Sequence, residues 1–201
     1  IGIMPLGGMG TQIRWVEIDP CYVYHDVNAY RDGDEVVVHV CRLDRTFVDD
    51  DVNTPLVHHR WRVNTAGAEL TFRDEIVSER RMDLPSHDRR FTGRPNRYGW
   101  LVDLRPHTET VDLGGIARID YRSGDVRVWQ PGAARHANEA FFVPGGAGEG
   151  EGWLLSYAYD RSTRSSSLVI LDAEHVEQGP VAEVELPQRV PHGFHGVWVP
   201  A

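Results

Sequence analysis

Turn signals recur roughly every ten residues along this chain, and the stretches between them are short and rich in β-branched and aromatic residues, as strands are. Arg31-Asp32-Gly33-Asp34, Thr65-Ala66-Gly67 and Arg122-Ser123-Gly124 are such turns. Residues 12–18 alternate apolar and polar side chains like a half-buried strand, and the valine-rich stretch 35–43 reads as a buried one. Between them, Cys21-Tyr22-Val23-Tyr24 leads into a histidine among aromatics at 25–30. Further strands are expected at about 60–64, 68–77, 97–103, 115–121, 125–130, 140–143, 153–159, 167–172, 181–186 and 197–199. No stretch carries a helical period. Residues 173–177 can make one turn before Gly179-Pro180 stops it. The expectation is an all-β single domain over residues 1–201, a propeller or a sandwich. Roughly twelve strands make about three four-stranded blades, too few to close a propeller. The chain therefore reads as the later blades, the C-terminal portion, of a larger propeller, with one edge left open.

Charge and cysteine content narrow the function classes. A formal net charge of -9 leaves no basic stripe for nucleic acid and no polybasic patch for anionic lipid. No apolar run approaches the roughly 18 residues of a membrane span, although an apolar patch in peripheral contact with a membrane stays open. Cys21 and Cys41 form no disulfide framework and no Cys-x-x-Cys pair, so a reducing, cytoplasmic setting is the default, with both read as small buried residues. The start, Ile1-Gly2-Ile3-Met4-Pro5, has neither the basic beginning nor the apolar core of a signal peptide, and it lacks an initiator methionine. A start partway through a longer protein is expected.

Ten histidines supply the candidate chemistry. His58 and His59 are adjacent at a strand start and are expected at the surface. His39 is expected as a hydrogen-bonded core residue. His87, His107, His136 and His175, among charged or turn residues, are expected in solvated loops. None of these has metal-ligand spacing to another. His25 and His195 differ: each follows an aromatic and sits where a loop meets a strand, and imidazole is the commonest metal ligand. They stand far apart in sequence, so a fold has to bring them together. The closing stretch Val190-Pro191-His192-Gly193-Phe194-His195-Gly196-Val197-Trp198 surrounds the second with glycines that allow close backbone approach.

Four segments resemble the carotenoid cleavage oxygenase family, which includes carotenoid and apocarotenoid oxygenases and lignostilbene dioxygenases. Tyr24-His25-Asp26-Val27-Asn28-Ala29-Tyr30 is similar to its Phe-His-x-x-Asn-Ala-Tyr segment, and Asn138-Glu139-Ala140-Phe141-Phe142-Val143-Pro144 to its Glu-Pro-x-Phe-Val-Pro segment. Gly150-Glu151-Gly152-Trp153-Leu154-Leu155 resembles the Asp-Asp-Gly-Trp-Leu-Leu that follows, and residues 186–196 the closing segment. Order and spacing agree across nearly the whole chain. The resemblance implies a seven-bladed β-propeller carrying a non-haem Fe(II) on its axis, held by four histidines and no carboxylate. His25 falls on the third ligand position and His195 on the fourth; the first two would lie upstream of Ile1. It implies that Glu139 orients a ligand histidine from behind, as a carboxylate accepting the far imidazole N–H does. Met82-Asp83-Leu84-Pro85 stands where the family has Glu-Phe-Pro, so Asp83 would replace a second orienting glutamate. One methylene shorter, it is expected to reach its histidine only through water or a backbone shift. Ala140 also replaces the family's proline.

The implied activity is dioxygenase cleavage of a conjugated C=C bond, in a carotenoid, apocarotenoid or stilbene, to two carbonyl products, with O2 and a small apolar substrate as partners. Isomerisation of a polyene ester by a related iron protein and a non-enzymatic binding propeller are the alternatives. Tyr24, Phe194 and Trp198 are candidate apolar walls, although strand aromatics are more often core.

Overall fold

The computed structural model describes residues 1–45, 56–105 and 112–199. A short hairpin opens the chain, with β1 (Gly2–Ile3) paired to β2 (Arg14–Trp15). Three antiparallel meanders of four strands follow. The first holds β3 (Tyr22–Asp32), β4 (Glu35–Leu43), β5 (Val57–Asn64) and the first half of β6 (Thr71–Ser86). The second half of β6 begins the next, which continues through β7 (Tyr98–Arg105), β8 (Asp112–Asp120) and β9 (Val126–Trp129). The third is β10 (Arg135–Pro144), β11 (Gly152–Asp160), β12 (Ser165–Asp172) and β13 (Pro180–Glu185). All neighbours are consecutive in sequence and the sheets do not close. The expected all-β class and the three four-stranded units are both present.

Local chemistry explains the turns. Gly33, at φ 59°, lets β3 reverse into β4. The β8–β9 turn is closed by the Asp120 carboxylate, which accepts from the backbone N–H of Arg122 at 2.9 Å. The core lies between the second and third meanders, because β10 packs across β6, β7 and β8. Trp100 of β7, 1% exposed, stacks on Phe142 of β10 with centroids 4.7 Å apart. Its indole N–H donates to the carbonyl of Ala173 at 2.8 Å, so the one polar atom of a large apolar side chain is satisfied. Met82, Ile116, Ile119, Leu154 and Leu171 complete this core.

Several expectations need correction. Of residues 12–18 only Arg14–Trp15 is strand, and residues 197–199 form no strand. The strand expected at 68–77 starts at Thr71 and runs on to Ser86, because it passes from one meander into the next. His58 and His59 are buried. They sit on β5, an interior strand of its sheet, where alternation turns His58 to the Tyr121 hydroxyl (3.0 Å) and His59 to Asp74 of the neighbouring strand (2.6 Å). His136 is also buried, on β10, with Nδ1 at 2.9 Å from the Leu113 carbonyl. His39 is a core residue as expected, but its ring nitrogens have no hydrogen-bond partner among the described residues; the ring stacks on Tyr121 at 3.9 Å. His87 is half-buried and bonded to Thr92, whereas His175 is exposed. His107 lies outside the described residues. Both cysteines are free; Cys41 is buried and Cys21 half-buried. Residues 176–178 form a single 3₁₀ turn at the place where one helical turn is expected.

Candidate metal centre

The first strands of the three meanders, β3, the second half of β6, and β10, each carry a break in register beside one chemistry-bearing residue. On β3 the pairing with β4 slips between Val23 and His25. On β6 the pairing with β7 slips between Asp83 and Ser86, where Leu84 takes φ 50°. On β10 the pairing with β11 slips between Ala137 and Ala140, leaving Asn138 and Glu139 in the bulge. A bulge twists a strand locally and re-aims a side chain that regular alternation would send elsewhere. Here the three bulges turn His25, Asp83 and Glu139 toward one place.

The fourth member arrives on the terminal segment. His25 Nδ1 lies 2.7 Å from Asp83 Oδ1, and His195 Nδ1 lies 3.3 Å from Glu139 Oε1. The other oxygen of Glu139 accepts the backbone N–H of Gly196 at 2.7 Å. The Nε2 atoms of the two rings face each other at 3.3 Å. Asp83 thus reaches its histidine directly. Its strand is bulged between Asp83 and Ser86, with Leu84 at positive φ beside it.

This arrangement fixes tautomers. An imidazole whose Nδ1–H donates to a carboxylate presents a bare Nε2 lone pair. Two such lone pairs pointed at one another repel unless a proton or a cation lies between them. Two imidazoles bound side by side to one ion at about 2.0–2.1 Å have nitrogens about 3 Å apart, close to the observed 3.3 Å. The donor set therefore fits a borderline divalent metal. Both carboxylates are already engaged behind the rings, and among the described residues no group of three or more His, Cys, Asp or Glu could hold a metal ion. The site supplied by this chain is a pair of imidazoles. The hydrogen bond that His25 donates to Asp83 raises the pKa of His25 against the opposing effect of burial. Burial raises that of Glu139, while the Gly196 N–H and His195 pull it back down.

The loops around the site are held by side chains whose role the sequence did not reveal. Asn28, buried on β3, donates to the carbonyls of Phe91 (3.1 Å) and Arg94 (2.9 Å) and to Asn96 Oδ1 (2.9 Å), and accepts from the Gly93 N–H at 3.1 Å. One side chain thereby holds the whole 91–96 loop beside the histidines. The only hint was its place in the segment after His25. Arg90 forks onto Asp88 and reaches the carbonyls of Gly146 (2.8 Å) and Gly148 (3.0 Å), joining that loop to the one after β10. Beside the histidines lies a cavity of about 620 Å³, lined by Tyr24, Phe141, Phe142, Pro144 and Trp198 among others. Phe194 does not line it and is 79% exposed.

The retinal pigment epithelial membrane protein (RPE65) family model matches residues 1–200. The chain is 34% identical over its whole length to a carotenoid cleavage oxygenase of Mycobacterium tuberculosis, spanning 42% of that protein. It is 33% identical over its whole length to isoeugenol monooxygenase of Pseudomonas nitroreducens, spanning 46% of it. Over 93% of its length it is 30% identical to carotenoid 9,10(9',10')-cleavage dioxygenase 1 of Pisum sativum, spanning 38% of that protein. Its fold superposes on a lignostilbene dioxygenase of Pseudomonas brassicacearum with a TM-score of 0.90 at 21% identity, covering 100% of this chain and 46% of the other. It superposes on a cobalt-substituted apocarotenoid oxygenase of Synechocystis with a TM-score of 0.85 at 25% identity, covering 96% and 42%. These likenesses, together with the placement of the quoted segments around one site, show that the chain belongs to the family of RPE65 and the carotenoid cleavage oxygenases.

Proposed function

We propose that this chain supplies two of the ligands, His25 and His195, of a non-haem Fe(II) centre in a dioxygenase that cleaves a conjugated C=C bond to two carbonyl products. The observation that carries the reading is the pair of Nε2 atoms facing each other at 3.3 Å, each ring backed by a carboxylate. The substrates named by the relatives, carotenoids, apocarotenoids and lignostilbenes, are apolar conjugated molecules. One relative's structure is described as cobalt-substituted, which supports a divalent ion in this family's site. The two further histidines implied by the family would lie outside this chain.

Bound between the rings, Fe(II) would supply a centre at which O2 can be activated. The protein groups do the remaining work. Asp83 and Glu139 accept the Nδ1 protons, which leaves the lone pair of each neutral ring on Nε2 and raises the basicity of the rings. Tyr24, Phe141, Phe142 and Trp198 give the adjacent cavity an apolar wall against which a polyene or stilbene can lie, displacing water. The Asn28 and Arg90 bonds fix the loops that shape this cavity. Among the described residues no helix is long and apolar enough to cross a membrane. A cytoplasmic setting is part of the same reading and rests on the two unpaired cysteines.

The test uses the intact protein loaded with Fe(II) and offered carotenoids, apocarotenoids and stilbenes. Consumption of one O2 per double bond with two carbonyl products is expected, and His195→Ala abolishes it together with metal binding. No O2 uptake with any member of the three classes overturns the reading.

A further inference from the structure

The segment after β13 is paired with no strand, yet it carries His195 to the site by a defined route. It crosses the third meander one strand at a time. At β12, the Leu186 N–H donates to the Ser166 carbonyl at 2.9 Å and the Val190 N–H to the Ser166 hydroxyl at 2.9 Å. At β11, the Arg189 guanidinium lies 4.9 Å from the Tyr159 ring centroid. At β10, the His192 ring meets His136 edge-on, with centroids 5.7 Å apart and planes at 78°, while keeping a like contact with Tyr159 of β11 at 6.4 Å and 84°. His192 Nδ1 is also 3.4 Å from Asn138 Oδ1. Glu139, the next residue of the same bulge, takes His195 and the Gly196 N–H. Two successive bulge residues thus hold two histidines of the strap, three positions apart.

We propose that His192 is a positioning residue for the metal site: its edge-on seat between His136 and Tyr159, beside Asn138, sets the register of the strap so that His195 meets Glu139 and His25. A segment without ladder hydrogen bonds slides easily, and a slip of one residue would place Phe194 or Gly196 where the imidazole has to be. The hydrogen bonds at Ser166 hold the strap where it crosses β12. Among the described residues His192 is the last with a ring contact or side-chain hydrogen bond before His195, so it limits slipping of the strap. The Asn138 amide is itself tied to the neighbouring strand, donating to the Tyr157 carbonyl at 3.2 Å.

The proposal rests on the metal reading for its functional consequence but not for its structural one, and the experiment separates the two. In the intact metal-free protein, amide hydrogen exchange is measured across 189–197 in wild type, His192→Ala and His192→Phe. Metal affinity of the same three proteins is then read by chelator competition with Fe(II) or Co(II). His192→Ala is expected to speed exchange at Gly196 by at least about tenfold and to weaken metal binding by about tenfold or more. His192→Phe, which keeps the edge-on ring, is expected to stay within about threefold of wild type in both. Unchanged exchange at Gly196 in His192→Ala overturns the proposal, as does an equal loss in His192→Phe. If no variant, wild type included, binds metal while the exchange results come out as expected, the metal reading fails and the strap register stands.

Discussion

Gly196→Ala is the substitution for which the structure gives the sharpest quantitative expectation. A Cβ added there would press into the Phe141 ring, within 2.7 Å of Cδ1 and 2.8 Å of Cζ and nearer still to Cε1. Carbon atoms pack at about 3.5–4.0 Å, so the methyl group cannot be accommodated by a small adjustment. Either the ring moves, at an overpacking cost of about 1–3 kcal/mol, or the strap lifts and surrenders the Gly196 N–H bond to Glu139, a bond to a charged acceptor of about 1.5–3 kcal/mol. The cheaper route sets the penalty, about 1–3 kcal/mol, which is on the order of 5- to 150-fold in metal affinity. Because the strap hangs on the surface, this loss is expected without a matching fall in global stability. Chelator competition with Co(II) on the intact protein measures the affinity, and urea unfolding of the metal-free form measures the stability. Phe141→Ala removes the obstructing ring, so the double variant Gly196→Ala/Phe141→Ala should recover most of the affinity relative to Phe141→Ala alone. Wild-type metal affinity in Gly196→Ala, or additive losses in the double variant, would refute the packing argument.

Asp83→Asn should lower the pKa of His25 in the metal-free protein, since the Asp83 hydrogen bond is the largest influence raising it; metal affinity should fall about 10- to 100-fold, and an unmoved NMR titration of His25 would count against the relay. Acid should destabilise the fold through the buried pair on β4 and β5: burial holds His39 at about 2 and His58 at about 3, with neighbouring positive charges adding to the effect. Both are depressed below an unfolded value near 6.5, so the unfolded state binds more protons. Their contribution is intact above about pH 6.5 and is lost below it, by roughly 1–1.5 kcal/mol per pH unit for each histidine. In the metal-free protein His25 acts in the opposite sense, because its raised pKa gives stability that is present below pH 6.5 and lost as pH rises. Urea midpoints that fall from pH 6.5 to 5, with a shallower slope in His39→Phe, bear this out; a flat profile does not. Trp100→Ala, which empties the centre of the core and orphans the Ala173 carbonyl, should cost about 3–5 kcal/mol in the same assay.

The strand pattern was legible because β-branched runs and turn residues act locally: Gly33, Gly124 and Asp120 close turns whose chemistry is written within a few residues. Strand ends were less so. The continuation of β6 to Ser86 depends on a partner strand, β7, that a local reading of its polar residues cannot see. The histidines divide in the same way. His58 and His59 read as surface residues because adjacent strand positions face opposite ways, and His136 as a loop residue because of its charged and turn neighbours; their burial goes with partners outside their own strands, Tyr121, Asp74 and Leu113. For the site itself, His25 and His195 stood out by their settings, the resemblance added Glu139 and Asp83, and the structure brings all four together. What no sequence pattern showed is how they are aimed. Bulges on β3, β6 and β10 are departures from regular alternation, visible only once the partner strands are in register. The clamp by Asn28 and the strap seat of His192 are likewise long-range contacts.

The central claim is that the Nε2 atoms of His25 and His195 share one metal ion. A crystal structure of the intact protein grown with Co(II) or Fe(II), with anomalous data collected at the metal edge, tests it directly. The account predicts a single anomalous peak about 2.0–2.2 Å from both Nε2 atoms, with Asp83 and Glu139 still on the Nδ1 sides. A peak bound through either carboxylate instead, or two rings joined only by a proton in metal-saturated crystals, would contradict it.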